Sequence, residues 1–233
     1  MPELTPFGKN IWIVDGPNVR DMGLVFTTRM TVVRLSDGSV WVESPVTVPD
    51  EVLARIKGLG PVRFLVAATQ RHVWRLKAWH GLFPAAQLWA PVKAALTLGD
   101  AGAPVNDVFT DTPAEGWSRD FEQLAFKGSS VLREVFFFHK QSRTVVLGDL
   151  MQANPPLKGK PFRNMMFRLM GAAAPGGGVS FDIRLSFRDR ALARESLNRL
   201  LSWDFNALII AHGACVPTNA KSVVREAFRW LVK

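Results

Sequence analysis

Short apolar runs broken by turn residues open the chain, as in "NIWIVDG" and "GLVFTT". The stretch "MTVVRLSDGSVWVES" holds two β-rich runs joined at Asp37-Gly38, a pair that favours a tight hairpin. The spacing therefore predicts an antiparallel opening. Thr47, ahead of Pro49, Asp50 and Glu51, predicts a helix N-cap with acids in the first turn. Val52, Leu53, Ile56 and Leu59 then recur at helical spacing before Gly58 and Gly60 close the segment. "VRFLVAAT" lacks polar alternation and reads as a buried strand, "HVWRLKAWHGLF" as a helix stopping near Gly81 and Pro84, and "AQLWAP" as the next strand. That order is a β-α-β step, with the helix crossing over the sheet.

Residues 92–120 are rich in Gly, Pro, Asp and Thr and give no assignment. "REVFFFH" and "RTVVLGDL" form a second hairpin around Lys140-Gln141-Ser142. Between Met151 and Arg190 the pattern breaks. "LKGKPFRNMMFRLMGAAAPGGGVSF" has basic, amphipathic helical character and ends in Pro-Gly-Gly-Gly, which predicts a mobile helical insertion on one edge of the fold. Ser186 to Asp189 open a further helix with Ala191, Leu192, Leu197, Leu200 and Leu201 inward. "NALIIAHG" is a last strand, and one final helix carries Val224, Ala227, Phe228 and Leu231 on one face.

With 233 residues and 48% hydrophobic composition the chain can bury one large core, and a single domain over residues 1–233 is expected. No apolar stretch is long enough to span a bilayer, and the first residues lack the basic and apolar regions of a signal peptide, so a cytoplasmic protein is expected. The only cysteine, Cys215, excludes an internal disulfide and an all-cysteine metal site. Any zinc would need His and carboxylate ligands, and there are four histidines. A net charge of +9 suggests an anionic partner, but basic residues are interspersed with acids rather than run together. An anionic small molecule fits that pattern better than nucleic acid.

Three apolar runs end in metal-capable side chains: "LVAATQRH" at His72, "TVVLGD" at Asp149 and "ALIIAHG" at His212. Each sits where a buried strand gives way to a loop, the place where a rigid sheet presents functional groups. Singly, each reads as a cap or a turn residue. In this order, they resemble the metallo-β-lactamase superfamily, in which a strand ends in Thr-His-x-His-x-Asp-His, a later one in Gly-Asp and a last one in a His-Gly-like turn. The stretches "FTTRMTVVRLSDGSVWVESPV", "EVFFFHKQSRTVVLGDL" and "SWDFNALIIAHG" resemble, more narrowly, a divergent branch of that superfamily labelled a domain of unknown function. The resemblance implies a four-layer αββα sandwich, with the insertion at about 155–185 lying over the mouth of the ancestral site.

The same resemblance exposes a departure. With Thr69 on the superfamily threonine, Gln70 and His72 fall on the first two histidine positions, Trp74 on the aspartate and Arg75 on the last histidine. The middle histidine position falls in "KGSS". A hydrolytic zinc pair needs about three protein ligands per metal. The expectation is therefore a degraded site without the two-metal centre, holding either no metal or a single divalent ion (Zn, Fe or Mn) on His72, Asp149 and His212. A mononuclear ester or phosphoester hydrolase is the first alternative. A basic module binding anions or nucleic acid is the second, with Arg29, Arg71 and Arg75 as candidate anion-binding residues. His80 and His139 read as structural, Cys215 as an inert thiol, and no Gly-x-Ser-x-Gly elbow occurs.

Overall fold

The computed structural model describes residues 2–21, 23–100, 102, 105 and 107–232. Two sheets form its centre. The first has seven strands in sequential order: β1 (Thr5–Gly8), β2 (Ile11–Asp21), β3 (Leu24–Arg34), β4 (Val40–Glu43), β5 (Val62–Val66), β6 (Gln87–Ala90) and β7 (Asp107–Val108). It is antiparallel through β4 and parallel from β4 to β7. Helices α1 (Asp50–Leu59), α2 (Leu76–Leu82) and α3 (Val92–Asp100) make the parallel crossovers. The second sheet runs β11-β10-β9-β8, from β8 (Phe121–Phe126), β9 (Glu134–His139), β10 (Thr144–Leu147) and β11 (Ala207–Ile210). Only β10 and β11 are parallel there. The remaining helices are α4 (Pro161–Leu169), α5 (Phe181–Leu185), α6 (Arg190–Ser202), α7 (Ala220–Ala227) and α8 (Arg229–Val232).

The period-two alternation of strands sorts side chains into three apolar layers. Trp41, Phe64 and Val66 of the first sheet meet Val135, Phe137, Val146 and Ile209 of the second in the central layer. Trp41 packs on Phe121 and Phe137 there. Val40, Val42 and Leu65 face the other way, under Ile56, Trp79 and Leu98 of the first three helices. Phe136, Val145, Leu147 and Leu208 lie under Leu197, Leu200 and Val224 of the later helices. The chain is thus a four-layer αββα sandwich, as expected.

Several local readings need correction. Thr47 does not cap α1: Pro49 stands at the N-cap without a side-chain bond, and the Thr47 hydroxyl accepts from Arg75 Nε at 3.0 Å. Ala191 and Leu192 point outward; Asp189 caps α6 by accepting from both of their N–H groups, a start that turns Ala193, Leu197 and Leu200 inward. The final helix breaks at Phe228 into α7 and α8, although Val224, Ala227, Phe228 and Leu231 are all buried. In the unassigned stretch 92–120, α3 and β7 form, while residues 101, 103, 104 and 106 lie outside the described residues. At the end of the Gly-rich stretch, Gly178 and Gln152 exchange backbone bonds in both directions.

His139 closes β9 fully buried, with Nδ1 on the Ser142 hydroxyl at 2.7 Å and its ring against Phe121. Burial pushes its pKa down to about 4. The native state therefore holds fewer protons than the unfolded chain, whose histidine titrates near about 6.5. Stability is full above that value and is lost as pH falls toward about 4, by about 3 kcal/mol for this residue. Urea unfolding at neutral pH and at pH values near 4 is expected to show that loss. In His139→Gln the difference between the two conditions shrinks by a comparable amount.

Candidate metal centre

Three strand ends meet at one rim. β10 and β11 are parallel neighbours, so Asp149 and His212, just past their C-terminal ends, emerge at the same edge of the second sheet. From the first sheet, β5 runs on to Thr69, which bridges to Glu134 at the start of β9 and so lands the next turn, with His72, beside the other two. Gly148 makes this approach possible: a Cβ there would stand 2.8 Å from Thr69 Cγ2 and 3.0 Å from His72 Cε1.

His72, Asp149 and His212 converge as the sequence order suggests. Asp149 Oδ1 lies 3.1 Å from His212 Nε2 and 3.5 Å from His72 Nε2, and the two Nε2 atoms are 3.4 Å apart. Asp149 Oδ2 accepts from the Thr69 hydroxyl at 2.6 Å. All three ligand-capable residues are buried or nearly so, and among the described residues they are the one cluster of three potential metal ligands.

The outward nitrogens of both histidines are committed. His212 Nδ1 faces the Thr27 carbonyl at 2.6 Å, an acceptor only, so Nδ1 donates and carries the proton. The Ser44 hydroxyl donates to the Glu43 carboxylate and its oxygen accepts from His72 Nδ1. Each imidazole, when neutral, therefore turns an Nε2 lone pair inward. Two lone pairs and a carboxylate oxygen then face one another, three acceptors with no donor between them. Electrostatics requires a positive charge at their centre, either a proton or a metal ion.

The proton's grip shows the strength of that demand. Burial opposes a charged His72, yet Asp149 and Glu43 outweigh it and hold the imidazole well above its ordinary pKa. Burial likewise opposes an ionised Asp149, yet His72 and His212 hold it well below the usual carboxylate range. A divalent ion would compete with protons for the same position.

Donor spacing tests whether a metal fits. A tetrahedron with metal–ligand arms of about 2.0–2.1 Å has edges of about 3.3 Å. Separations of 3.1, 3.4 and 3.5 Å describe one face of such a tetrahedron and leave its fourth corner open. Two imidazoles and a carboxylate suit zinc and also iron(II). Among the described residues a second metal has no comparable set. Gln70 turns away to donate to the Val131 carbonyl, Trp74 is exposed, and Ser129 of "KGSS" pairs with Ser186.

The open corner gives onto a cavity of about 100 Å³ lined by His72, Asp149, His212, Phe26 and Trp74, with Arg29, Arg71 and Arg75 in its walls. These arginines differ in kind. Arg29 spends Nη1 on the Ile210 and Gly213 carbonyls and Nη2 on Asp15, so it ties β3 to the His212 loop. Arg71 sits 4.0 Å from Asp21, and Arg75 bonds only Thr47 among the described residues, which leaves both able to meet an anion. No residue from 155–185 lines the cavity; that segment touches it indirectly, through Phe167 against Phe26, which in turn packs on His212. His80 and His139 stay outside it, and burial pushes the Cys215 thiol up.

Two acids were missed by sequence reasoning. Glu43 backs His72. Glu134, 2% exposed, accepts from the N–H groups of Gly148 (2.6 Å), Asp149 (3.0 Å) and Leu150 (2.7 Å). Burial and the Asp149 charge push Glu134 up to about 8, against the pull of those N–H donors. The available signal was a carboxylate ending "VWVE" and another inside "REVFFFH", since an acid in an apolar run is rarely buried without partners.

Comparison with known proteins gives the fold a wider setting. The family described as "Domain of unknown function (DUF4336)" matches residues 9–157. No curated protein matches the sequence. A metallo-beta-lactamase from Pontibacter korlensis superposes with a TM-score of 0.60 at 15% identity, covering 98% of this chain and 99% of that one. A metallo beta lactamase from Erythrobacter litoralis gives 0.62 at 13% identity, over 99% and 90% of the two chains. A metal-soaked flavodiiron core from Synechocystis sp. PCC6803 gives 0.65 at 13% identity, over 99% of this chain and 61% of that one.

Proposed function

The chain belongs to the DUF4336 family, a divergent branch of the metallo-β-lactamase fold, and from that premise we propose that its ancestral two-metal centre is reduced to a single divalent ion serving hydrolysis. The substrate class is an ester or phosphoester of an anionic small molecule. One observation carries this reading: three inward-facing acceptors, His72 Nε2, His212 Nε2 and Asp149 Oδ1, spaced as one face of a tetrahedron beneath an open cavity. Such a cluster needs a proton or a metal ion at its centre, and the tetrahedral spacing supports the ion.

A divalent ion on these donors supplies Lewis acidity and lowers the pKa of a water toward neutrality. The chain's own residues do the rest. Thr27 and the Ser44–Glu43 pair fix both histidine tautomers, so that Nε2 alone is offered. Thr69 holds the outer oxygen of Asp149, and Glu134 holds the loop that carries it. Arg71 and Arg75 bind and orient the anionic part of the substrate, while Phe26, Trp74 and Val46 shape an apolar wall against its body.

The test is turnover of aryl ester and phosphodiester probes by zinc-, iron- and manganese-loaded protein. Hydrolysis is expected to stop with a chelator, to return on reloading, and to fall to background in His212→Ala. Metal-loaded wild type that turns over none of these probes would contradict the hydrolytic reading.

A further inference from the structure

Helix α4 is turned inside out. Its Arg163 is buried, giving Nε to the Val25 carbonyl and Nη1 to the Pro155 carbonyl, both at 2.7 Å, and stacking on Phe167. Meanwhile Phe162 (66% exposed), Met165 (50%) and Leu169 (73%) face outward at the i, i+3, i+7 spacing of a single helical stripe. The Phe181 N–H then bonds the Met170 carbonyl, so α5 begins beside the end of α4. Phe181 and Leu185, each 60% exposed, extend the apolar face there. Five large apolar side chains expose together on the order of several hundred Å², as much as the largest patch on an ordinary monomer.

The fringe of this patch is basic. Lys158, Lys160, Arg168 and Arg188 are all exposed on or beside the two helices, α4 itself contains no acid, and Asp182 of α5 is the one acid between 158 and 188, so the segment is strongly net basic. An apolar stripe bordered by cations is the pattern of a helix lying in a membrane interface, where side chains enter the acyl boundary and basic groups meet lipid phosphates. Charge complementarity selects the occupant: a neutral or basic surface leaves four cations unpaired, and an anionic bilayer does not. Among the described residues no helix is long and apolar enough to cross a membrane, so contact would be with the surface only.

We propose that the α4–α5 face is a docking surface for an anionic lipid bilayer, with Phe162, Leu169 and Phe181 as its main inserting side chains. The experiment is co-sedimentation of the full chain with phosphatidylcholine vesicles prepared with and without phosphatidylglycerol. Binding is expected only with phosphatidylglycerol, and is expected to weaken steeply with salt. The variant Phe162→Glu with Leu169→Glu, its fold checked by circular dichroism, should bind at least about tenfold more weakly. Lys158→Ala with Lys160→Ala, which leaves the stripe intact, should lose about fivefold per charge removed. Absence of vesicle binding, or wild-type binding by both variants, would overturn the proposal. So would a concentration-dependent oligomer that the Glu variant dissolves without any vesicle binding, since the face would then serve a second copy of the chain.

Discussion

Asp149→Ala is expected to abolish stoichiometric metal binding, with affinity for zinc falling by well over about a hundredfold, beyond what loss of an outer partner costs. Asp149 supplies the only anionic donor of the three, and its Oδ1 is the atom that both Nε2 atoms face. Without it two neutral imidazoles remain, and the Thr69 hydroxyl loses its acceptor. Asp149→Asn keeps an oxygen near the same place but removes the charge, so it should fall between the two. Calorimetric titration of metal-free protein measures all three. Wild-type affinity in the alanine variant would show that the ion sits elsewhere.

Glu134→Ala is expected to destabilise the fold by about 3–5 kcal/mol, because three buried N–H groups would lose their acceptor at once. For a chain of this size that corresponds to a melting temperature lower by about 10 °C. Those N–H groups belong to Gly148, Asp149 and Leu150, so the same change loosens the loop that presents the carboxylate. Metal affinity should fall along with stability, by about ten- to a hundredfold. Glu134→Gln retains one acceptor oxygen and should lose less on both counts. Thermal unfolding and the same titration decide it, and an alanine variant as stable as wild type would refute the role given to this carboxylate.

The strands were legible because alternation or unbroken apolarity says which of their faces is covered, whereas their stacking as an αββα sandwich was legible only through the family resemblance. "VWVE", "VRFLV" and "EVFFFH" carry enough of that signal to place β4, β5 and β9. Helix ends were less legible. The outward turn of Leu192 depends on Asp189 accepting from two N–H groups, and one residue of offset at the cap rotates the helix face by about 100°. β8 was hidden because it follows a stretch whose composition resembles loop throughout.

At the site, His72, Asp149 and His212 were legible as strand-end residues whose sequence order matches a known arrangement. Their companions were not. Glu43 and Glu134 act through contacts that span 29 residues or fewer in sequence but join the ends of neighbouring strands, and no local pattern marks such contacts. Arg29 shows the converse: its charge suggested an anion site, whereas its guanidinium is spent on carbonyls more than 180 residues away. In the basic insertion, likewise, the charge of Arg163 is spent on backbone carbonyls, where it anchors α4, while apolar side chains of the same helix face outward.

Metal stoichiometry of the purified chain, reloaded with zinc and freed of excess, is the most direct test. One equivalent per chain in the wild type, and essentially none in His72→Ala and His212→Ala, is the result this account predicts. Two equivalents, or a single one that survives both substitutions, would contradict it.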